Sequence, residues 1–247
     1  KGEKMKENKY DDKTFFDKYS EMNRSVNGLE GAGEWYELKR LMPDFNGKRV
    51  LDLGCGYGWH CIYAAENGAN FVLGTDISKR MLDVAKSKTS FRQIWYEQTA
   101  MEDLTCEPSS FDVVISSLAF HYVKDYEIMV KKIYDWLVPW GDFIFSVEHP
   151  VFTALGNQDW YYASDGSIMH FPVDNYYYEG VRDAKFLGEH VIKYHRTLTS
   201  YLNTLLETGF ILRKIVEPKP PENMLSIPGM KDEMRRPMML LVSAKKI

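Results

Sequence analysis

Only three cysteines, Cys55, Cys61 and Cys106, occur in the 247 residues. Their spacing is too irregular for a disulfide framework or a zinc site, so neither a stapled secreted scaffold nor a metal centre is expected. No apolar run approaches the roughly 18 residues of a membrane span. The Lys-rich start also lacks the apolar stretch and small-residue cleavage site of a secretory signal. These absences together point to a cytoplasmic location. An excess of positive charge is missing too: 31 Lys and Arg stand against 35 Asp and Glu, a formal charge of −4. That balance argues against a protein built to grip nucleic-acid phosphates and favours a small acceptor or ligand as partner. No internal repeat is visible.

What is present is 45% apolar residues, enough for one packed α/β domain with an elaboration. From Lys48 onward, short β-rich runs alternate with helical stretches, the pattern of βαβ units and a parallel sheet covered on both faces. Strands are expected at Arg49–Leu53, Phe71–Thr75, Ile94–Gln98, Val113–Ser117 and Phe143–Glu148, with helices after the first, second and fourth. Before this core, Phe15–Tyr19 and Glu30–Leu41 read as helices, the second ending before Pro43. After it, Thr197–Thr208 reads as a helix stopped by Gly209, followed by two closing strands, Phe210–Val216 and Met238–Ala244. Between Pro150 and Arg196 lies an aromatic-rich stretch that fits no βαβ unit and carries a turn at Asp165-Gly166. The expected organisation is a helical lid over 1–46, a ligand-binding core over 47–149, an inserted cap over 150–196, and a closing helix and strands over 197–247.

Arg49-Val-Leu-Asp52-Leu-Gly54-Cys55-Gly56-Tyr-Gly58 places an acid at a strand end, then three alternate glycines and a helix. Glycine permits positive φ and close backbone approach to a ligand, and the following helix offers free N–H groups. A dinucleotide fingerprint would need a further Gly where this chain has Trp59. Asp52 would also sit badly against a pyrophosphate, whereas the cationic methionine end of S-adenosylmethionine tolerates a carboxylate. Asp76 ends the second strand, where a doubly wound fold places its ribose-binding acid. Ala100 and Met101 follow the third strand, placed to hold an adenine ring that Ile77 covers. Ser117 and Leu118 end the fourth strand, beneath the transferable methyl.

With these four elements in order, the sequence over Lys48 to Val147 resembles the class I S-adenosylmethionine-dependent methyltransferases, in particular the small-molecule subset related to the ubiquinone and menaquinone methyltransferases. The resemblance implies a Rossmann-like, doubly wound seven-stranded sheet, parallel except for one reversed strand near the C-terminal end. It implies that Gly54, Cys55 and Gly56 line the methionine moiety, that Asp76 binds ribose, and that Ala100 and Met101 hold adenine. Tyr19 and Arg24 resemble the segment that folds over the donor in related enzymes, with Arg24 facing the donor carboxylate. For the chemistry, His121 is a candidate base near the methyl, or half of a packed His-Tyr pair. Glu148 and His149 can orient a substrate or merely form a turn before Pro150. His195-Arg196 can supply positive charge to the acceptor or tie the insertion to the core. The expected function is methyl transfer to a small molecule. The alternatives are a donor-binding module without turnover, a nucleic-acid methyltransferase and, less well matched, a nicotinamide oxidoreductase.

Overall fold

In the computed structural model, which describes residues 8–247, the N-terminal segment folds as α1 (Lys13–Ser20), α2 (Asn23–Val26) and α3 (Trp35–Leu41). Residues 1–7 of the expected lid lie outside the described residues. Asp12 starts α1 by accepting the Phe15 N–H at 2.9 Å, which satisfies one of the free donors at a helix start. Helix α3 begins at Trp35 rather than at the expected Glu30, because Gly31 and Gly33 intervene. Gly31 also packs so tightly that an added Cβ would clash with the Asn23 carbonyl oxygen.

The core alternates β1 (Arg49–Leu53), α4 (Trp59–Glu66), β2 (Phe71–Asp76), α5 (Lys79–Lys88), β3 (Ile94–Gln98), β4 (Phe111–Ser117), α6 (Tyr126–Trp136) and β5 (Leu137–Glu148). The strands β4 and β5 start earlier than expected. Their pairing jumps from Phe111 opposite Leu137 to Val113 opposite Asp142, and the Pro139-Trp140-Gly141 irregularity on β5 conceals the strand from pattern reading. The chain continues through α7 (Pro150–Thr153), a hairpin of β6 (Tyr161–Tyr162) and β7 (Ile168–His170), and a second hairpin of β8 (Gly180–Phe186) and β9 (Glu189–His195). It closes with α8 (Leu198–Thr208), β10 (Phe210–Val216) and β11 (Met239–Lys246). Residues 150–196 add no strand to the main sheet.

The main sheet has seven strands in the order β10-β11-β5-β4-β1-β2-β3. Only β11 runs against its neighbours, which is the doubly wound architecture expected. Strand alternation sets the layers. Leu51, Val114, Phe143, Phe145, Leu240 and Val242 pack on one face with α6 and α8. Their immediate neighbours Val50, Val113, Ile115, Ile144 and Leu241 pack on the other with α3, α4 and α5. Successive side chains of a strand point to opposite faces, so runs without polar interruption mark a sheet buried on both sides.

The insertion is partly packed and partly open. Phe152 and Phe171 stack at 5.7 Å, with the Arg236 guanidinium over both rings, while Tyr177 and Tyr178 are 87% and 76% exposed. Gly166, at φ +83°, turns the first hairpin as expected. Arg196 donates to the Val123 and Lys124 carbonyls, and so ties the end of the insertion to the loop after β4. No helix among the described residues is long and apolar enough to cross a membrane.

Phe120, fully buried in the short 3₁₀ turn after β4, touches Tyr126, Phe143 and Phe145 at ring separations of 5.9, 5.7 and 5.5 Å. Phe120→Ala is expected to cost about 3–5 kcal/mol of stability in urea unfolding. A loss below about 1 kcal/mol would mean that this turn is not anchored by the core.

Candidate active site

The loop after β1 is built around glycines that reach where other residues strain. Gly54 has φ +72°, and an added Cβ would meet the Ala119 Cβ at 2.6 Å. Gly56 has φ +54°, with nothing within 4 Å of where its Cβ would lie. The first glycine is required by packing against the end of β4. The second leaves its flank open for a ligand. The Gly54 and Cys55 N–H groups both donate to the Thr75 carbonyl, at 2.8 and 2.9 Å, so the loop is pinned to β2.

Asp76, at the tip of β2, closes the same loop from the other side. Its Oδ2 accepts from the Gly56 N–H at 2.9 Å and its Oδ1 from the Ser78 N–H at 2.8 Å. Burial raises its pKa to about 6, against the lowering effect of these two bonds. Ser78 caps α5 by accepting the Met81 N–H, and its hydroxyl donates to Asp11 Oδ1 at 2.6 Å. Asp11 also accepts the Arg80 N–H at 3.0 Å. The N-terminal segment is therefore strapped to the start of α5, beside Asp76.

A cleft opens at the carboxyl ends of the strands, the position at which open α/β sheets bind ligands. It brings together Tyr19, Arg24, Gly54, Gly56, Asp76, Ile77, Ala100, Met101, Ser117, Leu118, His121 and Glu148. It does not include Asp52, Cys55 or His149. Asp52 is 1% exposed beneath the loop, where its Oδ2 accepts from the Cys61 thiol at 3.3 Å and its Oδ1 has no partner among the described residues. Burial raises its pKa to about 7. Cys55 is buried as well, its thiol pushed up to about 11.

Leu118 adopts φ +53° while its N–H donates to the Ser146 carbonyl at 2.9 Å, a left-handed backbone held at the cleft wall. Arg24 pairs with the buried Glu34, using part of its five-donor fork. Met22, between Tyr19 and Arg24, and Tyr122, beside His121, also line the cleft, as do Tyr10, Phe186 and Met238, which no motif signals. Tyr10 meets the Tyr122 hydroxyl at 3.2 Å and packs edge-on to Tyr19 at 5.2 Å, which joins the strap to the end of β4.

At the far end stand His121 and Glu148. His121 is buried, tilts over Tyr122 at 4.4 Å and accepts the Glu148 N–H on Nδ1 at 3.5 Å. Burial drops its pKa to about 4, so the ring is neutral near pH 7. The Glu148 carboxylate accepts from Lys193 Nζ at 2.6 Å and from Gln158 Nε2 at 2.7 Å, and its pKa lies below the usual glutamate range despite burial. The adjacent His149 lies just past the end of β5 and faces elsewhere. Its Nδ1 accepts the Val151 N–H at 3.0 Å at the start of α7, and its Nε2 lies 2.9 Å from Glu217. His195 is bonded to Thr153 and the Tyr176 carbonyl.

Residues 51–145 match the methyltransferase domain family. A crystal structure from Listeria monocytogenes, assigned as an S-adenosylmethionine-dependent methyltransferase, is 56% identical, with a TM-score of 0.85 over 89% of this chain and 99% of that one. A second, of an S-adenosylmethionine-dependent methyltransferase from Mesorhizobium loti, is 39% identical, with a TM-score of 0.82 over 89% and 100%. A Haemophilus influenzae protein whose name assigns no activity is 31% identical over 96% of both chains. The chain belongs to the S-adenosylmethionine-dependent methyltransferases, and its cofactor is S-adenosylmethionine. The cleft fits that group: the space beside Gly56 would be filled by any Cβ, and each Asp76 oxygen accepts one N–H and keeps a lone pair for a ribose hydroxyl.

The raised pKa of Asp52 carries a stability prediction. A carboxyl whose folded pKa exceeds its unfolded value binds more protons when folded, so its contribution is present below about pH 4 and is lost as pH rises through about 7. Asp52→Asn is therefore expected to raise Tm relative to the parent increasingly from pH 4 to pH 8. A Tm difference that stays flat or shrinks across that range would show that Asp52 ionises freely.

Proposed function

We propose that this chain binds S-adenosylmethionine along the cleft from Asp76 to Leu118 and transfers its methyl group to a small-molecule acceptor, working in the cytoplasm. The observation that carries this reading is a single continuous cleft that holds the loop-locking carboxylate at one end and a neutral imidazole beside an ionised carboxylate at the other. Two of the three free cysteines are buried, which fits a reducing compartment.

Asp76 would hold the ribose hydroxyls, the backbone of Gly54 and Gly56 the methionine part, and Ala100, Met101 and Ile77 the adenine. Tyr19 and Arg24 would close the methionine end, with Arg24 toward the carboxylate. Bound S-adenosylmethionine supplies a methyl group already activated on a sulfonium, so alignment of the nucleophile accounts for most of the acceleration asked of the protein. Glu148 is the ionised group at the acceptor end and the one able to take the proton an acceptor releases. His121 would orient the acceptor as a neutral ring. The strap carrying Tyr10 and Tyr19 covers the cleft and excludes water.

Calorimetric titration with S-adenosylmethionine, S-adenosylhomocysteine and NADH, on protein freed of carried-over ligand, tests the donor assignment. Micromolar binding of the first two is expected, weakened about 10- to 100-fold by Asp76→Ala, the loss of one or two hydrogen bonds to a charged group. Binding of NADH alone would overturn the reading.

A further inference from the structure

Strand β9 carries a lysine where its pattern calls for an apolar residue. Val191, Lys193 and His195 share one face of the strand and all three are buried, Lys193 to 1% exposure. A buried ammonium is costly unless it is paired and hydrogen-bonded. Lys193 Nζ reaches Glu148 Oε1 at 2.6 Å and Gln158 Oε1 at 2.9 Å, while Gln158 Nε2 donates to Glu148 Oε2 at 2.7 Å. The three side chains form a closed ring. Lys193 and Gln158 both come from the insertion, and Glu148 from the end of β5. The lysine does not reach the cleft, whereas Glu148 lines it and keeps 13% of its side chain accessible. A pair serving packing alone would have no reason to leave one member on a cleft wall. Beside that carboxylate stands the neutral His121 ring, Met239 pairs with Glu148 across the sheet, and Phe186 and Val191 of the second hairpin line the same cleft.

We propose that Lys193, supported by Gln158, is a positioning residue that holds Glu148 ionised and fixed on the cleft wall, so that the site selects an uncharged acceptor offering a hydrogen-bond donor and rejects acceptors bearing a phosphate or carboxylate there. An ionised carboxylate accepts hydrogen bonds only. An O–H or N–H therefore docks on Glu148, while an anionic group meets a like charge in a poorly solvated pocket. The inference rests on the methyl-transfer reading above. The charge of Lys193 from β9 and His121 from the turn after β4 lower the Glu148 pKa. Arg196 lowers that of His121, and Glu148 raises that of Tyr201 on α8.

The test loads the full chain with methyl-labelled S-adenosylmethionine and offers matched probes: small phenols, alcohols and anilines beside their carboxylate and phosphate counterparts. Label is expected to pass to uncharged members at least tenfold faster. With the best of them, Lys193→Met is expected to cut turnover at least tenfold and to move the acidic limb of the pH–rate profile to higher pH, because Glu148 then protonates more easily. Lys193→Arg should restore both. Adding Glu148→Gln to Lys193→Met should cost little more than Glu148→Gln alone, since the lysine acts through that carboxylate. Preference for the charged members, no transfer to any uncharged member, or a Lys193→Met loss that leaves the acidic limb in place would each overturn the proposal. S-adenosylhomocysteine binding, measured on every variant, separates this from failure of the donor reading, which alone would abolish it in the parent protein.

Discussion

Asp76 stands at the meeting point of three chain segments, and the arrangement of the cleft follows from how its two oxygens are used. One receives the Gly56 N–H and so holds the glycine loop in its open, left-handed form; the other receives the Ser78 N–H at the entry to α5. Ser78 in turn passes its hydroxyl to Asp11, which draws the N-terminal strap across the cleft. A partly buried carboxylate without these donors would either protonate or pull water into the site. The backbone bonds hold its pKa down while burial pushes it up to about 6. The result is an acceptor-rich group that is still ionised near neutrality and retains unused lone pairs.

The opposite end of the cleft solves a different electrostatic problem. Glu148 is kept ionised by a lysine and an amide from the insertion, and the neighbouring imidazole of His121 is kept neutral by burial. Both groups are shifted downward, the carboxyl by the Lys193 charge against its burial and the imidazole by burial itself. Near pH 7 this end of the cleft offers one fixed anion and one neutral ring. The second hairpin of the insertion, outside the main sheet, matters because it brings Lys193, Val191 and Phe186 to this end.

Much of this was legible in the sequence where the determining contacts are local. The Asp52-to-Gly58 loop, Asp76 and the βαβ alternation of the core could be read from spacing, while the seven-stranded sheet with one reversed strand was implied by the family resemblance. What escaped reading depends on contacts distant in sequence. The Glu148–Lys193 pair spans 45 residues and rests on the register of the second hairpin. The Tyr10–Tyr122 contact spans 112 residues. His149 is adjacent to Glu148 in sequence, yet β5 ends at Glu148 and His149 turns away to cap α7. Asp52 was expected in the cleft and lies beneath the loop, since the left-handed turn at Gly54 carries the backbone over it. The late start of α3 and the early starts of β4 and β5 follow from Gly31, Gly33 and the Pro139-to-Gly141 irregularity, local breaks that period counting passes over.

A crystal structure of the full chain with S-adenosylhomocysteine would test the account at its centre. Both ribose hydroxyls are expected on Asp76, the homocysteine end against Gly54 and Gly56, and the sulfur facing His121 and Glu148. A ribose held away from Asp76, or a sulfur turned from that end of the cleft, would contradict it.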